Sequence, residues 1–113
     1  MSKVIHLENV RRSKRRVSFD KSELRELMGV YSRRVAAGEW RDYAIDHEAG
    51  MAVFSIFRSA YEMPLYSIAK IAGRSANEQP EWMVVSGPKR LKRTTSLQEA
   101  LSVFDGNKLE VVK

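Results

Sequence analysis

The chain has 113 residues, 43% of them hydrophobic and 30% charged, with a formal net charge of +6. That size and composition fit one globular domain with a core of useful size, and not a disordered chain. Disulfides, thiolate zinc sites and cysteine nucleophiles are excluded, because there is no cysteine.

Residues 1–16 hold Lys3, Arg11, Arg12, Lys14, Arg15 and Arg16 against a single acid, Glu8. They lack a sustained apolar period and read as a flexible basic arm, with Val4, Ile5 and Leu7 a weak signal for a short edge strand. No apolar segment there is long enough for a signal peptide, and no run in the chain nears the ~20 residues of a membrane helix. The expected location is the cytoplasm. Residues 17–113 are expected to form the single folded domain.

Val17-Ser18-Phe19 alternates as a short strand. Asp20 then fits a helix N-cap with Glu23 three residues on, the pattern of a capping box. Leu24, Leu27, Met28, Tyr31 and Val35 recur at helical spacing, with Lys21, Arg25, Arg33 and Arg34 on the opposite face. The predicted helix spans residues 21–37, and Gly38 suits the left-handed position past its end. Residues 42–47 alternate as a strand, and His47-Glu48-Ala49-Gly50 reads as a tight turn. Residues 51–58 form an apolar strand with two buried faces, either covered on both sides or set against a partner. After a turn at 59–62, residues 63–71 make a third strand, with Pro64 at its start or on an edge. Residues 72–80 are a loop, and residues 82–86 a fourth strand broken by Gly87-Pro88. The run Lys89, Arg90, Lys92 and Arg93 follows. Ser96 and Glu99 form a second capping box before Leu97, Ala100, Leu101 and Phe104 on one helical face. Residues 109–112 close as a last strand.

The order predicts an α+β fold: an antiparallel sheet, about a four-stranded meander plus terminal strands, with one long and one short helix on one face. Val53, Phe57, Ile68 and Val84 are expected to bury against Leu24, Leu27, Met28 and Tyr31, with the inward parity open.

Val17-Ser-Phe-Asp-Lys-Ser-Glu-Leu, Val35-Ala-Ala-Gly-Glu-Trp-Arg-Asp-Tyr-Ala-Ile-Asp, Ala52-Val-Phe-Ser-Ile-Phe-Arg and Pro64-Leu-Tyr-Ser-Ile together resemble a family of small alphaproteobacterial proteins, domain-of-unknown-function family 2794. The resemblance runs over about residues 17–112. It implies an alphaproteobacterial, cytoplasmic protein, and it carries no catalytic or binding residues.

Three constellations bear on function. Glu39, Asp42, Asp46 and His47 could serve acid–base or metal chemistry, but strand parity puts Asp42 and Asp46 on one face and His47 on the other. A solvated strand is the better reading. Trp40, Tyr43, Tyr61, Tyr66 and Trp82 could stack on single-stranded nucleic acid, although core packing is the commoner use of aromatic residues. Of these, Trp40, Tyr43, Tyr66 and Trp82, with Arg41, are the surface or interface candidates, while Trp40 is also expected to be buried at the helix–sheet joint. The basic segments are the strongest candidates. Arg11, Arg12, Lys14, Arg15, Arg16, Lys89, Arg90, Lys92 and Arg93 would contact phosphates, since arginine forks bind them bidentately. No phosphate-loop or Ser-His-Asp pattern is present. The expected function is a non-enzymatic accessory protein binding nucleic acid or a ribonucleoprotein non-specifically. The alternative is a protein–protein interaction module, a homodimer or a subunit of a larger assembly. No cofactor and no catalytic or metal site is expected.

Overall fold

Helix α1 spans Lys21–Ala36. Its start is fixed reciprocally: the Asp20 carboxylate accepts from the Glu23 N–H at 2.8 Å, and the Glu23 carboxylate accepts from the Asp20 N–H at 2.9 Å. Two orphan donors of the first turn are thereby satisfied. The helix stops one residue short of the expected 37, because Ala37 serves as its C-cap and Gly38 follows at φ 80°. That left-handed angle turns the chain back to the sheet at no Cβ cost. The computed structural model describes residues 16–59, 63–75 and 77–105. Residues 1–15, with the Val4–Leu7 signal, Tyr61, and the expected strand over 109–112 lie outside the described residues.

Five strands form one antiparallel sheet in the order β1-β2-β3-β4-β5, so the fold is α+β. They are β1 Asp42–Glu48, β2 Met51–Phe57, β3 Tyr66–Ile71, β4 Glu81–Ser86 and β5 Lys89–Thr94. Two expectations are corrected, and one unassigned stretch gains an element. Residues 17–19 make no strand: the Ser18 carbonyl accepts from Lys70 Nζ and Phe19 stacks on Trp82, so side chains use this segment. The third strand begins at Tyr66 rather than 63, which leaves Pro64, with no N–H to donate, before the ladder. The basic run after Gly87-Pro88, to which the sequence assigned no element, is a strand. Gly87, at φ 60°, is the first residue of a two-residue hairpin, a place glycine fills without strain.

The sheet has two buried faces. On the helix face, Ala52, Phe54, Ile56, Ile68, Trp82 and Val84 pack with Leu27 and with Leu97, Ala100, Leu101 and Phe104. The last four belong to α2, Leu97–Leu101, and to the 3-10 turn Ser102–Phe104. Ser96 caps α2 by accepting from the Glu99 N–H at 3.2 Å, but its hydroxyl donates to Gln98. On the second face, Met51, Val53, Ala69, Ile71, Met83 and Val85 form a separate cluster. The expected partners of α1 were therefore mixed: Ile68 and Val84 face it, whereas Val53 lies on the other side and Phe57 shares its parity. Period-2 alternation fixes that split once register is known.

Candidate functional site

The basic run is an edge strand. Lys89, Arg90, Lys92 and Arg93 stand opposite Ser86, Val85, Val84 and Met83 of β4. The register slips between Val84 and Val85, which leaves Leu91 as the extra residue of a bulge. Leu91 packs against the helix-face core, and the cations alternate onto both sides of the edge. Arg93 donates to Glu81 at 3.0 Å. It is the only one of the four with an ion pair among the described residues. Lys89 and Arg90 are exposed and Lys92 is half-buried. An edge strand also presents one row of unpaired backbone groups to its surroundings.

Arg16, the last residue of the other basic segment, lies at the 72–80 loop. Two shallow depressions share Ala72, Gly73 and Glu78. One reaches Arg16 and Lys70, the other Arg74 and Arg93. The loop doubles back tightly, because a Cβ on Gly73 would lie 2.6 Å from that of Glu78. The Glu78 carboxylate accepts from the Arg74 N–H at 2.7 Å. Arg16, where the leading segment joins the fold, and Arg93, near the end of β5, thus border one loop. Glu78 and Glu81 share that corner, so it is a mixed-charge surface and no closed anion cradle. Arg11, Arg12, Lys14 and Arg15 lie outside the described residues.

The aromatic candidates divide. Trp40 and Trp82 are 5% and 3% exposed and offer no face for stacking. Trp40 sits 5.2 Å from Phe104, ring centre to ring centre, and 6.0 Å from Tyr66. Tyr66 is half-buried in that cluster, while Arg41 and Tyr43 are exposed. Tyr43 stacks on Phe54 and meets Tyr31 edge-on. Burial pushes the Tyr31 phenol up from its ordinary range, and the Asp42 carboxylate and Tyr43 add to the shift. Register places Asp42 and Asp46 opposite Phe57 and Val53, and His47 opposite Ala52. The two carboxylates and the imidazole therefore stand on opposite faces of an exposed strand. Among the described residues no cluster of three His, Asp or Glu groups could hold a metal ion.

Two polar residues with structural consequences were not singled out by the sequence reading. Arg34, expected on the solvent face, is buried. It donates to Glu39 at 2.7 Å and to the Phe104 carbonyl, tying the end of α1 to the 3-10 turn. It falls three residues after Tyr31 and seven after Leu27, so the apolar stripe itself carries the signal. Lys70 donates to the Ser18 carbonyl at 2.9 Å and to Glu23 at 2.8 Å, over the Trp82 ring. Parity predicts only its face.

A family model with the description "Protein of unknown function (DUF2794)" matches residues 17–101. No curated protein and no solved structure matches the chain.

Proposed function

The chain belongs to the DUF2794 family, and since membership assigns no activity we propose, from its charge layout, a small non-enzymatic accessory protein that binds nucleic acid or a ribonucleoprotein without reading sequence. The observation that carries this reading is the strand β5, an exposed edge on which Lys89, Arg90 and Lys92 have no acidic partner among the described residues. Cations spaced along a strand can follow a phosphate backbone, and arginine forks add bidentate contacts. Arg16 borders the same loop as Arg93, which supports one polyanion reaching both. The setting that fits is the cytoplasm of an alphaproteobacterium, as the sequence resemblance implies. Among the described residues no helix is long and apolar enough to cross a membrane.

An electrophoretic shift series with single- and double-stranded nucleic acid, at rising salt, tests the reading. The expected result is binding at low salt that weakens steeply as salt rises, with little dependence on sequence. No shift at low salt contradicts it.

One observation favours the protein-interaction reading as a second choice. Val35, Tyr43 and Ile45 are large apolar side chains exposed to 39%, 39% and 37%. They lie at the end of α1 and on the acidic edge strand β1, where a partner would find apolar area beside charge. The two-sided apolar strand no longer supports that choice, because both faces of β2 are buried within the chain. Sedimentation across a concentration range separates the two, with self-association independent of polyanion favouring the second.

A further inference from the structure

We propose that the outer edge of β1 is a strand-addition site, which takes an extended segment of a partner protein with alternating apolar and basic side chains. This gives the protein-interaction reading, on which it rests, a site and a ligand class. Polyanion binding at β5 is separate, and either can fail alone. Among the described residues β1 pairs with β2 alone. Its ladder runs unbroken from Asp42–Phe57 to Glu48–Met51. The two-residue loop Ala49-Gly50 makes Glu48–Met51 a hydrogen-bonded closing pair. Alternation then turns the N–H and C=O groups of Tyr43, Ile45 and His47 outward. The Tyr43 N–H donates to the Asp42 carboxylate at 2.9 Å, a contact that the carbonyl of an added strand can replace.

The two edges of the sheet are built differently. Edge strands are shielded from pairing by lysines, proline or a bulge. β5 has lysines, arginines and the bulge at Leu91. β1 has no Lys, Arg or Pro between Asp42 and Glu48, and it keeps its register throughout. It also presents apolar side chains on the helix face, where Tyr43 and Ile45 are exposed. Tyr43 is held there against Phe54 and Tyr31, at 5.3 and 5.0 Å between ring centres. Val35, exposed as well, follows Tyr31 one turn on in α1. An added strand therefore finds fixed neighbours for its apolar side chains.

The other face of β1 sets the charge of the ligand. Asp42 and Asp46 stand on it, and both are exposed. Opposite charges across a strand pair attract and like charges repel, so cations at every second position of the ligand fit. A second copy fits less well. Pairing β1 with another β1 sets acid against acid on this face. The strand β5 of another copy has the right charge, but its bulge breaks the register and Leu91 is its one apolar side chain.

The probe is a fluorescein-labelled peptide of alternating lysine and valine, as long as β1, titrated with the parent chain and read by anisotropy. The same residues in non-alternating order are the control. The alternating peptide should bind at least ~10-fold more tightly than the control, the effect of about one net hydrogen bond. Ile45→Pro removes an outward donor without costing a ladder bond, and should weaken binding at least ~10-fold. Ile45→Thr keeps the amide and should weaken it less. Asp42→Asn with Asp46→Asn should weaken it and flatten its salt dependence. No binding, equal affinity for the two peptides, or equal affinity of the parent and Ile45→Pro would overturn the proposal. If Ile45→Pro does not fold, N-methylated peptides decide. Methylating one alternate set of peptide amides should abolish binding and methylating the other should not; equal effects overturn the proposal. Sedimentation covers the remaining occupant. Self-association of the parent that Ile45→Pro or Ile45→Thr abolishes would assign the edge to a second copy and overturn the choice of partner.

Discussion

Arg34 shows how much one side chain can organise here. Its guanidinium links Glu39, just past the end of α1, to the Phe104 carbonyl, 70 residues away in sequence. Arg34→Ala should cost about 1.5–3 kcal/mol, the worth of hydrogen bonds to a charged group. Arg34→Lys should recover only part, because an ammonium has no planar fork to span both acceptors. Urea unfolding of the three proteins checks the order. Trp40 is the apolar counterpart. It touches Tyr31, Tyr66 and Phe104, and Trp40→Ala should destabilise by about 3–5 kcal/mol through the cavity it leaves. A change within ~0.5 kcal/mol, the surface range, would contradict its place in the core. Tyr31 adds a pH dependence. Its raised phenol pKa, from 10.0 upward, means that the unfolded chain releases this proton first and the native state binds more protons. Stability should therefore fall as pH rises from about 10 towards the folded value. Tyr31→Phe should remove that part of the alkaline loss, as read from urea midpoints at about pH 9 and 10.5.

At the scale of elements, what could be read in advance depended on whether burial left a period in the sequence. Helix α1 shows its capping box, its stripe and its terminal glycine, and the structure departs from the reading by one residue. Strands β1, β2 and β4 carry alternation or a continuous apolar run, and their bounds shift by a residue. Strand β5 carries neither. Leu91 is the single apolar residue of Lys89–Thr94, and an edge strand needs few, since half of its surroundings are solvent. The turn before it was visible as Gly87-Pro88, but not that the chain paired again beyond it. The site suffered the same way: the cations were evident, whereas their placement along one edge requires the ladder. Arg34 was misplaced because a charge was assigned to solvent on residue type, against its position in the stripe. Lys70 offers the element-scale prediction. It joins β3 to the capping box of α1 through Glu23 and to the Ser18 carbonyl. Lys70→Met should cost about 1–3 kcal/mol by removing the donor of the Ser18 carbonyl and leaving the Glu23 carboxylate only the Asp20 N–H. A denaturation midpoint unchanged from the parent would show that water replaces it freely.

For the whole molecule, charge is segregated by strand. The edge β1 carries Asp42, Asp46 and Glu48, while the opposite edge β5 carries Lys89, Arg90, Lys92 and Arg93. Four strand spacings at ~4.8 Å separate these edges by roughly 19 Å, about twice the screening length at physiological salt. A polyanion approaching β5 is therefore little repelled by β1, and the protein has a polarity that its net charge does not express. The salt dependence of binding measures this directly. The parent chain and the variant Lys89→Ser, Arg90→Ser, Lys92→Ser should be titrated with a duplex across a salt series. If β5 contacts phosphates, the plot of log affinity against log salt should be shallower in the variant by up to ~3, about one per lost contact. Identical slopes and affinities for the two proteins would contradict β5 as the binding edge.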